Sequence, residues 1–277
     1  MWIYRCGSAL NVMNSQLDFP GFTRAERHAS VTSTMDAART LLSNNPPMDT
    51  AWSAVVTADE QTAGRGRQGR VWLASHGSLM ATYIFATDLP VAALAGYSLT
   101  VGVAVAEVLE HRGVQTALKW PNDIVVVDGV RSLRKVGGIL IEVQEAAGFQ
   151  CILIGLGINI APAPIEVRDI AVSVQELGGK DVSAEELLVP IGFSLRLWHQ
   201  RFIEGGFKAI RSAWSGRACF LAGQSELTLD LGEGRVLAGR FVGVDEGGAL
   251  VIEASGKQHQ ILSGHVTSFN LSPEDAR

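Results

Sequence analysis

The sequence predicts an α+β protein with a small β-barrel at its C-terminal end. Three observations carry that expectation. Between residues 25 and 159, strand-like runs and hairpin turns mix irregularly with helical stretches, without the strict alternation of a doubly wound sheet. Beyond Gly223 the pattern changes to short strands separated by glycine- and acid-rich turns. The 277 residues, 47% hydrophobic and 18% charged, suffice for one large core plus a smaller domain. The expected division is an N-terminal extension over 1–24, a main domain over 25–222 and a β-domain over 223–277.

Taken in order, Met1–Leu17 lacks a sustained apolar stretch and reads as neither signal peptide nor membrane span. It is either a flexible extension or contains the true start at Met13. Ala25–Val31 reads as a strand. Ser33, followed three residues later by Asp36, resembles a helix-start box before an Ala- and Leu-rich segment ending at Leu42. Ser33 and Thr34 are therefore either caps or ligand contacts. Asn44–Thr50 is a loop, Trp52–Thr57 a buried strand, and Leu79–Ala86 an apolar strand. Leu94, Val101, Val105 and Val108 predict a core helix over Val91–His111, closed by Gly113.

Thr116–Trp120 and Ile124–Val127 are short strands broken at Pro121, and Asp128-Gly129 is a hairpin turn. Further strands cover Ile139–Val143 and Cys151–Ile154. Ser183 with Glu186 caps a helix reaching Ile203, and Phe207–Trp214 is a shorter one. The terminal strands are Glu226–Leu231, Arg235–Val244, Ala249–Glu253 and Gln258–Leu262. With no catalytic cluster in them, they read as a rigid accessory or partner surface.

The formal net charge is -5, so the surface as a whole has no attraction for nucleic acid or anionic membrane. Cys6, Cys151 and Cys219 are too few and too scattered for a disulfide framework or a metal site, which suits a reducing cytoplasm.

Anion binding must then be local, and one stretch supplies it. Gln61-Thr-Ala-Gly-Arg-Gly-Arg-Gln-Gly-Arg-Val-Trp72 interleaves Gly64, Gly66 and Gly69 with Arg65, Arg67 and Arg70 and contains no carboxylate. Its glycines allow close backbone approach and its guanidiniums offer forked donors for phosphate or carboxylate. Gly64–Gly69 satisfies G-x-G-x-x-G, but a strand rather than a helix follows, so a dinucleotide fingerprint is rejected. Three further motifs accompany it. Lys119-Trp-Pro-Asn-Asp123 places polar side chains at a strand break. Lys135-Val-Gly-Gly-Ile-Leu-Ile-Glu142 sets two glycines after a lysine, as backbone packed under that lysine or its ligand requires. Gly155–Asn159 ends an apolar strand in an amide.

In this order, Glu60 through Trp72, Lys119–Asp123, Lys135–Glu142 and Gly157–Asn159 resemble the biotin protein ligase family, in its monofunctional type, over about residues 25–270. The resemblance implies a mixed-sheet catalytic domain of the class II aminoacyl-tRNA-synthetase-like kind and an SH3-like C-terminal barrel. It implies ATP, Mg2+ and biotin, with biotinyl-5′-AMP formed first and then passed to a lysine of the biotin carboxyl carrier domain of acetyl-CoA carboxylase. Carried over, Ser33, Thr34 and Gln61 hold the ureido ring, and Gly64, Arg65 and Arg67 belong to the loop over the carboxylate and phosphates. Trp72 packs near the adenine. Lys135 stabilises the adenylation transition state, and Asn122 and Asn159 contact phosphate, metal or ribose. Asp123 receives or orients the acceptor lysine. Only about 25 residues precede the matched region, too few for the DNA-binding domain of bifunctional members, so no sequence-specific DNA binding is expected. Metal ligands are not assigned, and either a monomer or a homodimer fits. The nearest rival is a lipoate or octanoate ligase, disfavoured by the Gly64–Arg70 and Lys119–Asp123 combination.

Overall fold

The computed structural model describes residues 15–16, 19–128, 132–179 and 181–270. Its centre is an eight-stranded mixed sheet of spatial order β1-β2-β3-β4-β8-β7-β6-β5. The strands are β1 (Ser15–Gln16), β2 (Arg24–Val31), β3 (Ser53–Gln61), β4 (Leu79–Thr87), β5 (Ala117–Lys119), β6 (Asp123–Val127), β7 (Leu133–Ala146) and β8 (Phe149–Ile158). Only β2 and β3 run parallel, with helix α1 (Thr34–Asn44) crossing between them.

The side-chain period of two along the central strands sorts the core onto two faces. On β8, Cys151 and Leu153 pack with Met35, Ala38, Leu41 and Leu42 of α1. The alternating Ile152, Ile154 and Leu156 face the main core with α2 (Tyr97–His111) and α3 (Ala184–Gly205). Strand β4 is buried along its whole length, which explains why its sequence is almost entirely apolar or aromatic.

Ser183 and Glu186 form the expected capping box at the start of α3. The helix expected over Val91–His111 is interrupted. A 3₁₀ turn covers Val91–Leu94, and α2 begins only after Gly96, whose φ is +78°. A Cβ on Gly96 would lie 2.6 Å from the Phe207 ring, so close packing and a left-handed turn both break the helix there. This segment is apolar and long enough to span a membrane by length and composition, but it is largely buried in the core. The Phe207–Trp214 helix likewise divides into a 3₁₀ turn over Phe207–Ala209 and α4 (Arg211–Ser215). The Asp128-Gly129 turn includes Gly129, which lies outside the described residues; β6 and β7, on either side, pair antiparallel, Val127 with Leu133.

The C-terminal segment forms a five-stranded antiparallel sheet of order β12-β11-β10-β9-β13. Its strands are β9 (Glu226–Asp230), β10 (Val236–Val244), β11 (Leu250–Ala254), β12 (Lys257–Ile261) and β13 (His265–Asn270). The fifth was not anticipated. Its burial alternates poorly, and a register shift between Val266 and Ser268 disrupts the period-two pattern by which strands are recognised. The sheet seats on the main domain through the strand-break motif. Lys119 Nζ donates to Val266 O at 3.2 Å and Trp120 Nε1 to Gly248 O at 3.1 Å.

His199 on α3 is buried, stacks on Phe85 at 4.7 Å and has its Nδ1 2.8 Å from the Tyr97 hydroxyl. Burial, helped by nearby Arg196, lowers its pKa from 6.5 to about 4. The unfolded chain therefore takes up this proton first. The associated stability is complete above pH 6.5 and is lost as the pH falls through the folded value. The loss amounts to roughly 3 kcal/mol by the time the pH reaches the folded value. Urea midpoints should fall between neutral pH and about pH 4.5, and His199→Gln should flatten this dependence over the same range.

Candidate active site

Strands β3, β6, β7 and β8 end around a cavity of about 480 Å³. Ten of the predicted site residues line it: Ser33, Thr34, Gln61, Arg65, Arg67, Trp72, Asn122, Asp123, Lys135 and Asn159. Gly64 does not. Its role is internal to the loop, where an added Cβ would meet Trp72 O at 2.7 Å.

One end of the cavity is polar and neutral. Ser33 Oγ caps α1 by accepting from Met35 N at 3.2 Å, and the same side chain lines the cavity, so capping and ligand contact do not exclude each other. Gln61 Oε1 accepts from Thr34 N at 2.8 Å and Thr34 Oγ1 at 3.1 Å, while Thr82 donates to Thr34 at 2.9 Å. This chain of hydrogen bonds, running into a buried threonine pair, fixes the glutamine amide.

The floor is glycine. Gly138 on β7 pairs with Gly157 on β8. A Cβ on Gly157 would lie 2.4 Å from the Trp72 indole, and one on Gly138 would lie 3.0 Å from Lys135 Cε and Nζ. The pair thus makes room for Trp72 and for Lys135, as the glycines after Lys135 suggested. Trp72 Nε1 is buried there without a hydrogen-bond partner among the described residues.

The other end is cationic. Lys135 sits inside β7, its Nζ 2.5 Å from Asp123 Oδ1 and 5.5 Å from the Trp72 ring centroid. Asp123 is the only carboxylate among the lining residues, against Arg65, Arg67, Arg70, Lys119 and Lys135. Arg67 donates to Asn122 Oδ1 at 3.3 Å, and Asn122 Nδ2 donates to Ile139 O at 2.7 Å. Asn159 Nδ2 donates to Lys135 O at 3.2 Å, bracing the strand beneath the lysine. Burial pulls the Arg67 and Lys119 pKa values below their ordinary range, and Asp123 opposes the shift at both. Cations crowded this way gain from an anionic ligand more than solvated ones would.

Sequence reasoning missed Gly264 and His265, which reach the cavity from the C-terminal sheet. That sheet is therefore part of the cavity wall, contrary to the expectation of a merely accessory surface. Burial first, then Lys119 and Arg70, lowers the pKa of His265, with Asp123 opposing. Arg70 and Lys119 were visible within motifs, but nothing in their spacing assigned them to the cavity. His265 had no local signal.

Comparison with known proteins identifies this arrangement. The "Biotin/lipoate A/B protein ligase family" matches residues 28–159 and the "Biotin protein ligase C terminal domain" matches residues 226–267. The mixed sheet, its cavity and the appended antiparallel sheet are thus those of the biotin/lipoate ligase class. The chain is 30% identical over 246 residues to the "Bifunctional ligase/repressor BirA" of Bacillus subtilis, covering 86% of this chain and 72% of that one. It is 33% identical over 223 residues to the "Biotin--[acetyl-CoA-carboxylase] ligase" of Paracoccus denitrificans, covering 77% and 90% respectively. The solved "Biotin protein ligase from Aquifex aeolicus in complex with biotin and ATP" matches with a TM-score of 0.71 at 28% identity, over 91% of this chain and 100% of that one. The chain belongs to the biotin protein ligase family.

Gly157→Ala should destabilise the fold by about 1–3 kcal/mol, because its methyl group enters the space of the indole. Trp72→Ala in the same chain should relieve most of that cost, which a double-mutant cycle of denaturant unfolding measures.

Proposed function

We propose that the chain attaches biotin to a lysine of the biotin carboxyl carrier domain of acetyl-CoA carboxylase, through biotinyl-5′-AMP. The observation that carries this reading is the composition of the cavity. A neutral hydrogen-bonding end and a glycine floor adjoin a cluster of cations around one carboxylate. A ligand suited to it has a polar amide-like head, an apolar body and an anionic end that meets a polyphosphate.

In the first step a carboxylate oxygen of biotin attacks the α-phosphorus of ATP and pyrophosphate leaves. Lys135 and Arg67 stabilise the charge on the transferring phosphoryl oxygens. Ser33, Thr34 and Gln61 match the ureido ring, for which unpaired polar groups would be costly. Trp72, beside Gly157, packs near the adenine, and Asn122 and Asn159 contact phosphate, metal or ribose. In the second step the acceptor amine attacks the acyl carbon, AMP leaves, and the amine's proton needs an acceptor. Asp123, freed from Lys135 once that lysine turns to the phosphate, is the group suited to orient the amine.

Magnesium fits this donor set poorly as a protein-held ion. The described residues contain no cluster of three or more His, Cys, Asp or Glu side chains that could hold a metal, and Asp123 is already paired. A magnesium ion in this reading arrives on the nucleotide's phosphates.

The decisive measurement is incorporation of labelled biotin into purified apo-carrier protein with Mg-ATP, beside a lipoyl-domain acceptor with lipoate. Labelling in the biotin arm is expected. Labelling only with lipoate would reverse the substrate assignment, and labelling in neither would remove the ligase reading. Lys135→Ala should slow adenylate formation by ~10²-fold or more, and a near-normal pyrophosphate burst would take Lys135 out of the mechanism.

A further inference from the structure

The glycine–arginine loop is a small unit closed on itself. Gly66 N donates to Arg70 O at 2.7 Å and Trp72 N to Gly64 O at 3.0 Å, while Arg65 and Val71 form an isolated bridge. Its tip turns through Gln68 at φ 55° and Gly69 at φ 73°. A unit of this kind moves as one piece, so what fastens it to the body decides whether the cavity is covered.

Besides Trp72 seated on Gly157, its side chains reach the body through polar contacts at two places. Arg67 donates one bond of 3.3 Å to Asn122, within the cavity. Arg65, which also lines the cavity, grips Asp36 with both terminal nitrogens, Nη1 to Oδ2 at 3.0 Å and Nη2 to Oδ1 at 2.6 Å. Asp36 is not among the cavity-lining residues. It sits in the first turn of α1, where a carboxylate is favoured by the helix dipole. Arg39 holds it from below at 2.5 Å and continues to Glu142 on β7, so the anchor is tied to both helix and sheet.

We propose that Asp36 is a positioning residue that latches this loop over the cavity by clasping Arg65. Arg65 is then a fastening for the lid, leaving Arg67, Arg70, Lys119 and Lys135 to meet the ligand's charge. The pair's exposure fits the task. Their side chains are 40% and 37% exposed, so solvent screens the attraction and the latch is weak. A lid that must open to admit substrates and an acceptor lysine needs a fastening of that strength. The shift directions agree with this pairing: Arg65 principally lowers the Asp36 pKa, and Asp36 principally raises that of Arg65.

The test needs no activity. Trypsin cleavage after Arg67 and Arg70 is followed in the ligand-free full chain for wild type, Asp36→Asn, Arg65→Gln and the double variant. Each single variant should be cut about three- to tenfold faster, and the double variant no faster than either, because one contact has been removed in each case. Cleavage of Asp36→Asn at the wild-type rate, or effects that multiply in the double variant, would overturn the latch. Asp36 also steadies α1, so if Asp36→Asn fails to fold, Arg65→Gln decides alone: a wild-type cleavage rate refutes the proposal.

A second arm rests on the ligase reading. With biotin and Mg-ATP, the share of biotinyl-5′-AMP found free in an ultrafiltrate should rise by a similar factor in Asp36→Asn, while the rate of its formation falls less. Adenylate retained by Asp36→Asn as by wild type speaks against the latch. No adenylate from wild type refutes the ligase reading, and the cleavage rates still decide the latch.

Discussion

Two facing glycines set the terms for this site. Gly138 and Gly157 pair across β7 and β8, and neither position tolerates a Cβ without displacing a neighbour. The bare backbone they leave gives Trp72 a seat and lets the Lys135 side chain lie flat toward Asp123. With any larger residue there, the indole and the ammonium would compete for the same volume. Beside Gly157, Leu156 and Ile158 of β8 are buried in the main core.

Over that floor the protein concentrates positive charge that its overall composition does not predict. A chain of net charge -5 lines the cavity with Arg65, Arg67, Arg70, Lys119 and Lys135 around one carboxylate. Such a cluster repels itself, and it is sustained by geometry rather than by neutralisation. Lys135 is held by Asp123, Lys119 by a backbone carbonyl of the C-terminal sheet, and Arg67 by Asn122. Arg65 is paired with Asp36, which does not itself line the cavity.

The C-terminal sheet enters this picture through the motif at the strand break. Lys119 and Trp120 donate to it, while Asn122 and Asp123, a few residues on, face the cavity. One short segment therefore joins the two sheets and presents polar groups to the site. The core is continuous across this junction, with Leu227, Phe241 and Leu250 in the same cluster as Leu99 and Phe207. That continuity gives a physical reason for the two family matches to occur together in one chain.

The sequence by itself determined what depends on neighbours along the chain. The buried runs of β4 and β8 follow from their apolar pattern, and the start of α3 follows from the Ser183–Glu186 box. The glycine–arginine loop and the lysine–glycine motif were legible because unusual residue types recur at short spacing, and ten of eleven named site residues do converge. Only the tertiary structure could decide what depends on distant segments. It broke the long helix at Gly96, because Phe207 and Gly248 pack against that turn from more than a hundred residues away. It brought His265 into the wall, paired Arg65 of the cavity lining with Asp36, and set Trp72 on Gly157. Capping and periodicity are written in adjacent residues. The pairing of a side chain with a remote partner is fixed only when the sheet register and the packing of its layers bring the two together.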